Sequence, residues 1–320
     1  GWEYFAEWKK VASESEQGVV SLETALRGLC TPTRLLDYVS NFVAYVEMPG
    51  GLIKAVAKNH QYLGVNNAME AIRQAKEPDG KLGVFWHTQG SGKSLSMLWF
   101  TQKVLRTRPG NWTFVMVTDR KELDEQLYKT FTDADVITTG TNVHAETSAH
   151  LRELLTTDQR YVFTLIHKFI PAEGGAEMPV LSERDDIVVI TDEAHRSQYD
   201  TLAMNMRKAL PNASFLGFTG TPLIDSQDEL TRQVFGEYVS IYNFRDSIED
   251  KATVPLYYQN RIPELQLENE DFSTELETLL DDANLDPDQE VAISRQFNRQ
   301  YQLITRSERL DTIAEDVVNH

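Results

Sequence analysis

The chain has 320 residues, of which 41% are hydrophobic and 25% charged, as is typical of a globular protein with one large domain or two ordinary ones. A single cysteine, Cys30, excludes an intramolecular disulfide and a cysteine-cluster metal site, and no apolar run is long enough for a membrane span. The lone cysteine and the lack of a secretory signal at the start fit a cytoplasmic protein with no membrane partner. The net charge of −18 by itself argues against a nucleic-acid partner, since such proteins usually need a basic surface.

Residues 1–59 are interpreted as an N-terminal flanking segment without obvious chemistry. Short helical patterns are interrupted by a Pro-Gly-Gly turn at Pro49–Gly51. The stretch 35–45 fits a helix and a strand about equally well, and its residues alone leave both open.

A regular alternation of strands and helices begins near residue 80. Five apolar runs rich in aromatic and β-branched residues predict buried strands at Leu82–Trp86, Thr113–Val117, Tyr161–Ile166, Ile187–Thr191 and Ser214–Phe218. Helical patterns predict the helices Ser94–Leu105, Lys121–Phe131, Ser148–Leu155 and Thr201–Leu210. The alternation indicates an α/β fold with a parallel sheet flanked by helices over residues 60–250. Sheets of this kind bind ligands beyond the carboxyl ends of their strands.

The first predicted strand is followed by a phosphate-binding motif. It matches G-x-x-x-x-G-K-[ST], except that His87 replaces the first glycine. Gly90 and Gly92 allow backbone N–H groups to converge on phosphate, Lys93 would neutralise the β- and γ-phosphates, and Ser94 would ligate Mg²⁺. The alternative is a glycine-rich turn without a ligand. The candidate ATP-binding residues of the motif are Thr88, Gln89, Gly90, Ser91, Gly92, Lys93 and Ser94.

The fourth predicted strand runs into a pair of carboxylates. We expect Asp192 to hold Mg²⁺ and Glu193 to orient and deprotonate the attacking water, with Lys93 as the third catalytic residue. His195 could relay the state of the γ-phosphate to neighbouring elements. The alternative is a helix N-terminus that merely favours acidic residues.

Residues 251–320 are interpreted as an acidic connector followed by a helix. The segment 261–290 contains eleven acidic residues and one basic residue, so it has a net charge of −10 and leaves −8 for all the others. We expect a solvated surface or linker, and a docking or DNA-mimicking role is the alternative. Helical spacing of apolar residues predicts a closing amphipathic helix that presents Leu310, Ile313, Ala314, Val317 and Val318.

Three extended motifs carry a family resemblance. They are Val84–Met97, which contains Trp-His-Thr-Gln-Gly-Ser-Gly-Lys-Ser, Ile190–Tyr199, which contains Asp-Glu-Ala-His, and Gly217–Leu223. The chain resembles superfamily 2 helicases and translocases, and more specifically the R (motor) subunit of type I restriction–modification enzymes. The resemblance implies a RecA-like P-loop NTPase lobe with mainly helical flanking segments, and ATP with Mg²⁺ at the two motifs above.

The resemblance also implies further site residues. Gln61 has the position of the glutamine that reads adenine, with a surface glutamine as the alternative. Thr219-Gly220-Thr221 matches the motif that couples the ATP state to domain movement, with a plain turn as the alternative. Residues in motifs that contact the nucleic-acid backbone are Thr118, Asp119, Arg120, Thr164 and Lys168. For this last group a solvated loop is the alternative.

The implied function is that of an ATP-dependent double-stranded DNA translocase, which works with specificity and methylation subunits and couples ATP hydrolysis to translocation before cleavage. The sequence contains no recognisable second motor lobe and no nuclease domain. We therefore expect the chain alone to bind ATP and Mg²⁺ but to hydrolyse ATP slowly, because the second lobe supplies an arginine finger. Another superfamily 2 DNA or RNA helicase, or an ATP-binding assembly module, are the alternatives.

Overall fold

The fold is taken from a computed structural model that describes residues 7–74, 80–138, 140–141, 143–157, 159–171, 178–192, 199–221, 226–254, 310–311, 313–315 and 318. The chain divides into two compact units, Gly1–Pro255 and Leu256–His320. The described residues of the second unit are helical, as predicted. The acidic segment 261–290 and Val317 lie outside the described residues.

The N-terminal segment of the first unit contains helices and a hairpin. Its elements are α1 (Leu22–Leu29), α2 (Pro32–Asn41), β1 (Val43–Met48), β2 (Gly51–Val56) and α3 (Asn59–Gln74), with β1 and β2 antiparallel around the predicted turn. The ambiguous stretch 35–45 is thus helix up to Asn41 and strand from Val43. The completely buried Phe42 stands at the junction, and the described part of the flank combines the helices α1 and α2 with the β1–β2 hairpin.

Six parallel strands form the sheet. In chain order they are β3 (Lys81–His87), β4 (Thr113–Thr118), β5 (Tyr161–Leu165), β6 (Ile187–Asp192), β7 (Ser214–Thr219) and β8 (Tyr238–Tyr242). Their spatial order is β5-β4-β6-β7-β3-β8. The five predicted strands are confirmed, and β8 is a sixth that the apolar pattern did not predict. Because all six are parallel, their carboxyl ends meet at one edge.

Helices cover both faces of the sheet. The remaining helices are α4 (Lys93–Thr107), α5 (Lys121–Asp133), α6 (Ser148–Thr156), α7 (Tyr199–Ala209), α8 (Ser226–Phe235) and α9 (Phe244–Glu249). Strand residues alternate between two cores. In β4, Phe114 packs with residues of α3, α4 and α5, whereas Val115 packs with residues of α6 and α7. The four predicted helices are confirmed, and none of the described helices is long and apolar enough to cross a membrane.

The N-terminal segment shares the core on the α4 face. The Phe42 ring lies 4.8 Å from the Tyr62 ring and 6.4 Å from the Trp99 ring, measured between centroids. The ammonium group of Lys103 on α4 donates to Asp37 Oδ1 at 2.5 Å and to Asn66 Oδ1 at 2.6 Å. Burial of these rings and of the paired Lys103 therefore joins α2, α3 and α4 into one layer.

Candidate nucleotide-binding site

The loop after β3 takes its shape from two glycines. Gly90 and Gly92 have φ values of 81° and 85°, a left-handed conformation that side chains other than glycine rarely adopt. The Thr88 N–H group donates to Tyr242 O at 3.0 Å, and the Ser91 N–H group donates to Thr88 O at 3.2 Å. The chain therefore turns tightly and enters α4 at its N-terminus, where the helix dipole favours an anion.

Two side chains at the start of α3 support this loop. Gln61 is buried; its Nε2 donates to Gly92 O at 3.1 Å, and its Oε1 accepts from the Lys58 N–H group at 2.8 Å. His60 Nε2 lies 3.2 Å from Ser91 O, so this nitrogen must carry the proton. A Cβ atom at Gly92 would lie 2.6 Å from Gln61 Nε2. Gln61 is therefore not a surface residue, and in this structure its amide contacts the loop itself.

Lys93 and Ser94 begin α4 beside the loop. Lys93 Nζ donates to His87 O at 3.3 Å, a long contact that a phosphate oxygen can replace at little cost. The Ser91 hydroxyl is buried and has no hydrogen-bond partner among the described residues, while Gln89 is exposed at the loop tip. An amine, a buried hydroxyl and a helix N-terminus that meet at one glycine turn fit a phosphate group.

Asp192 ends β6 at the same edge of the sheet. It is half-buried and pairs in register with Phe218 of β7, and β7 lies between β6 and β3. Neighbouring strands are about 4.8 Å apart, so the ends of β6 and β3 are roughly 10 Å apart. A carboxylate at that distance fits a cation held between it and the loop. Glu193 and His195 lie outside the described residues, so their roles stay predictions.

The Thr219–Thr221 turn lies between these two strand ends. The Thr219 hydroxyl donates to Thr221 O at 3.0 Å and accepts from the Thr221 N–H group at 3.3 Å. Thr219 is fully buried and pairs in register with Trp86 at the end of β3, and Gly220 follows it. This turn is closed by the Thr219 side chain and lies between the phosphate loop and Asp192. A change at either of them can therefore alter its conformation.

The motifs implied to contact nucleic acid lie at the other side of the sheet, on β4 and β5. The Thr118 and Thr164 side chains are buried, so neither reaches the surface. Arg120, whose side chain is 60% exposed, lies 3.5 Å from an Asp119 oxygen, and Lys168 is half-buried. Of these five motif residues, Arg120 and Lys168 are therefore the two with positive side chains that reach the surface.

Four residues that support the loop were not predicted from the sequence: His60, Tyr242, Asp250 and Ser240. The His60 ring stacks on the Tyr242 ring with 3.7 Å between centroids and 9° between planes, and the Tyr242 hydroxyl donates to Asp250 Oδ2 at 2.9 Å. Ser240 of β8 contacts His87. The one signal for them was His87 itself, because a buried polar side chain in place of the usual glycine needs a partner.

Burial controls the protonation of His60. Desolvation lowers its pKa to about 4, although the hydrogen bond to Ser91 O favours the charged form. Since the unfolded chain takes up this proton near pH 6.5, the unfolded state binds more protons between about pH 6.5 and 4. The contribution of neutral His60 to the free energy of unfolding is therefore fully present above pH 6.5, and it decreases as the pH falls towards 4.

We expect a His60→Gln variant to lose less stability in acid than the wild-type chain. Glutamine keeps a donor for Ser91 O but does not titrate. The two pKa values correspond to a difference of up to about 3 kcal/mol in the free energy of unfolding between pH 7 and pH 4. Urea unfolding at four pH values in this range measures it. Parallel curves for the two proteins would contradict the proposed burial of a neutral His60.

Comparison with known proteins gives related chains. The model of the family described as SWI2/SNF2 ATPase matches residues 60–290. The chain is 39% identical to the type I restriction enzyme HindI endonuclease subunit of Haemophilus influenzae, over 99% of this chain and 31% of that protein. It is 33% identical to the putative type I restriction enzyme MjaIXP endonuclease subunit of Methanocaldococcus jannaschii, over 100% of this chain and 32% of that protein.

The chain thus spans about a third of the length of these two relatives. Among solved structures, a nuclease-deletion mutant of the Type ISP restriction-modification enzyme LlaGI in complex with a DNA substrate mimic gives a TM-score of 0.45. Its identity is 16%, over 61% of this chain and 20% of that one.

Proposed function

We propose a function from the premise that the chain belongs to the SWI2/SNF2 ATPase family, whose model matches most of its length. The described unit is the motor portion of a type I restriction endonuclease R subunit. It hydrolyses ATP with Mg²⁺ and uses the energy to translocate double-stranded DNA before cleavage. Specificity and methylation subunits are its partners in the assembled enzyme.

One observation carries the proposal of an ATP site: the left-handed Gly90 and Gly92 turn the chain into the N-terminus of α4, with the Lys93 amine against the loop. Asp192 lies two strands away at the same edge of the sheet. An ATP–Mg²⁺ site needs a turn that binds the phosphates and a carboxylate that binds the metal ion. Here the turn follows β3 and the carboxylate ends β6.

Each residue then has a distinct task. Lys93 would bind and neutralise the β- and γ-phosphates, Ser94 and Asp192 would hold Mg²⁺, and Glu193 would take the proton of the attacking water. Bound Mg²⁺ supplies positive charge that offsets the charge on the phosphate oxygens. The Thr219–Thr221 turn, which lies between the two strand ends, passes the state of the site on to other parts of the motor.

A chain with so large a negative charge needs individual basic side chains at defined positions in order to bind DNA. Most of the net charge of −18 comes from the segment 261–290, beyond the motifs, and the remaining −8 still gives no broad basic surface. The exposed Arg120 and the half-buried Lys168 are positive groups at the carboxyl ends of β4 and β5. They support a narrow line of phosphate contacts along this edge.

The polynucleotide that stimulates ATP hydrolysis tests the proposed substrate. ATP hydrolysis by the intact polypeptide is measured with duplex DNA, single-stranded DNA and RNA at one salt concentration. Stimulation by duplex DNA above the other two supports the translocase. Preference for single strands or RNA would instead indicate another superfamily 2 helicase, and no stimulation by any of them would favour an assembly module.

We expect Arg120→Ala to weaken duplex DNA binding and leave ATP binding unchanged. Loss of one phosphate contact lowers the slope of log affinity against log salt by about one and weakens binding to all DNA sequences alike. Arg27→Ala is the matched control, because Arg27 is similarly exposed, at 68%, on α1. Fluorescence anisotropy with labelled duplexes measures both. Equal salt slopes for the two variants would contradict a phosphate contact by Arg120.

A further inference from the structure

A chain of three polar groups, of which His87 and Ser240 are buried and Glu14 is half-buried, links the N-terminal segment to the first residue of the phosphate loop. His87 Nε2 lies 2.6 Å from the Ser240 hydroxyl, and that hydroxyl donates to Glu14 Oε1. Glu14 Oε2 also accepts from the Ile241 N–H group at 2.9 Å. Gly64 makes room for this contact, since a Cβ atom there would lie 2.5 Å from the Ser240 hydroxyl oxygen.

The direction of these hydrogen bonds follows from the carboxylate. An ionised carboxylate only accepts, so Ser240 must donate its single proton to Glu14. The Ser240 oxygen then accepts from His87, which must carry its proton on Nε2. In agreement, His87 Nδ1 is buried and has no partner among the described residues. Desolvation holds the pKa of His87 well below its usual value, so the ring is neutral.

Glu14 is itself held firmly in place. Its neighbour Glu16 accepts from the N–H groups of Val11, Ala12 and Ser13 at 2.7, 3.0 and 3.1 Å and so closes the turn that presents Glu14. Asn59 Oδ1, one residue before the loop-supporting His60, accepts from the N–H groups of Lys9 and Lys10 at 3.2 and 2.9 Å. The segment 9–16 is therefore fixed to both the edge strand and the start of α3.

We propose that Glu14 is a positioning residue for nucleotide binding: through Ser240 it fixes His87 as the Nε2–H tautomer and holds the carbonyl end of β3 where Lys93 contacts it. The inference rests on the proposed ATP site. It makes the affinity for ATP depend on the conformation of residues 9–16, which lie outside the motor motifs. Displacement of this segment lowers the affinity for ATP.

The tautomer of His87 tests the chain of hydrogen bonds without any nucleotide. In Glu14→Gln, the amide oxygen keeps the Ile241 N–H group while its NH₂ group donates to Ser240, so Ser240 must donate to His87 Nε2 and the ring proton moves to Nδ1. Nitrogen-15 NMR of the histidine-labelled chain distinguishes these two tautomers. Because burial raises the pKa of Glu14, spectra at pH 8 ensure that the wild-type carboxylate is ionised.

The affinity for ATP tests the consequence. We expect Glu14→Ala and Ser240→Ala each to raise the dissociation constant of a fluorescent ATP analogue with Mg²⁺ by about 5- to 20-fold, within the usual range for coupling between sites. Because both residues belong to one chain of contacts, the double variant should be no weaker than the weaker single variant. Glu23→Gln, on the exposed face of α1, is the control and should leave the affinity unchanged.

The outcomes separate this inference from the proposed function. A His87 ring that stays Nε2–H in Glu14→Gln, or additive losses of affinity in the double variant, would overturn the role of Glu14. Failure of the wild-type chain to bind the analogue would overturn the ATP site, and the NMR result would still decide what sets the His87 tautomer. A tautomer shift together with non-additive losses supports the proposal.

Discussion

Lys93→Ala is expected to lower ATP hydrolysis by the intact polypeptide roughly 10²- to 10³-fold, the usual loss when one preorganised group at a developing charge is removed. Among the described residues the amine donates only to His87 O, at 3.3 Å, so we expect its removal to cost the fold about 1 kcal/mol or less. The loss should therefore appear in the rate and in the affinity for ATP, and translocation of duplex DNA should stop with it.

A second lysine provides the control for this experiment. Lys129 on α5 is 69% exposed and, among the described residues, pairs only with Asp133, so Lys129→Ala should keep full hydrolysis. Steady-state hydrolysis, analogue binding and thermal unfolding are measured for both variants. If Lys93→Ala retained more than about a tenth of the wild-type rate while folded, the loop after β3 would not be the catalytic phosphate site.

The central strands could be predicted from sequence because their environment is uniform. β4 and β7 are buried at every position, so between a terminal Thr or Ser at each end their sequences contain no polar side chain. The edge strand β8 has buried and exposed positions mixed over five residues, and such a short pattern does not distinguish a strand from a loop. The stretch 35–45 is helical before Phe42 and a strand after it, so neither the helical nor the strand periodicity of apolar residues fits all of it.

The site was predictable to the extent that its residues are adjacent in sequence. The phosphate loop and Asp192 each form a local motif whose spacing has a chemical reason. The residues that support the loop form no local motif. The contact of His87 with Ser240 spans 153 residues of sequence, and that of Ser240 with Glu14 spans 226. Such contacts depend on which strand lies beside β3 and on where the N-terminal segment packs, and neither leaves a local pattern.

Gln61 shows that the position of a residue in the sequence does not determine its hydrogen-bond partners. The family resemblance implies that Gln61 reads adenine, whereas in the structure its Nε2 donates to Gly92 O and its Oε1 accepts from the Lys58 N–H group. A donation from Nε2 to adenine would compete with its hydrogen bond to Gly92 O, whereas Oε1 keeps a second lone pair. Position along the chain therefore predicted the neighbourhood of Gln61, and only the packing of α3 determined its partners.

Glu193→Gln is expected to abolish hydrolysis while ATP still binds, since glutamine keeps the size of the side chain but cannot take a proton from water. Loss of a general base lowers a rate by about 10²- to 10⁴-fold. The affinity for the ATP analogue should stay within about twofold of the wild-type value, because Lys93, Ser94 and the loop N–H groups that bind phosphate are unchanged. Single-turnover hydrolysis and analogue binding by the intact polypeptide measure the two effects.

The same variant separates a motor from an assembly module. If ATP serves as fuel, Glu193→Gln must stop the displacement of a triplex-forming strand from duplex DNA, since each step of translocation consumes a hydrolysis event. If ATP only holds a complex together, the variant should assemble with its partner subunits and support their function as the wild type does. Retained translocation with hydrolysis lost would reject the motor, and lost translocation with assembly intact would reject the module. Glu183→Gln, which changes a carboxylate ahead of β6, should leave both hydrolysis and translocation at wild-type levels.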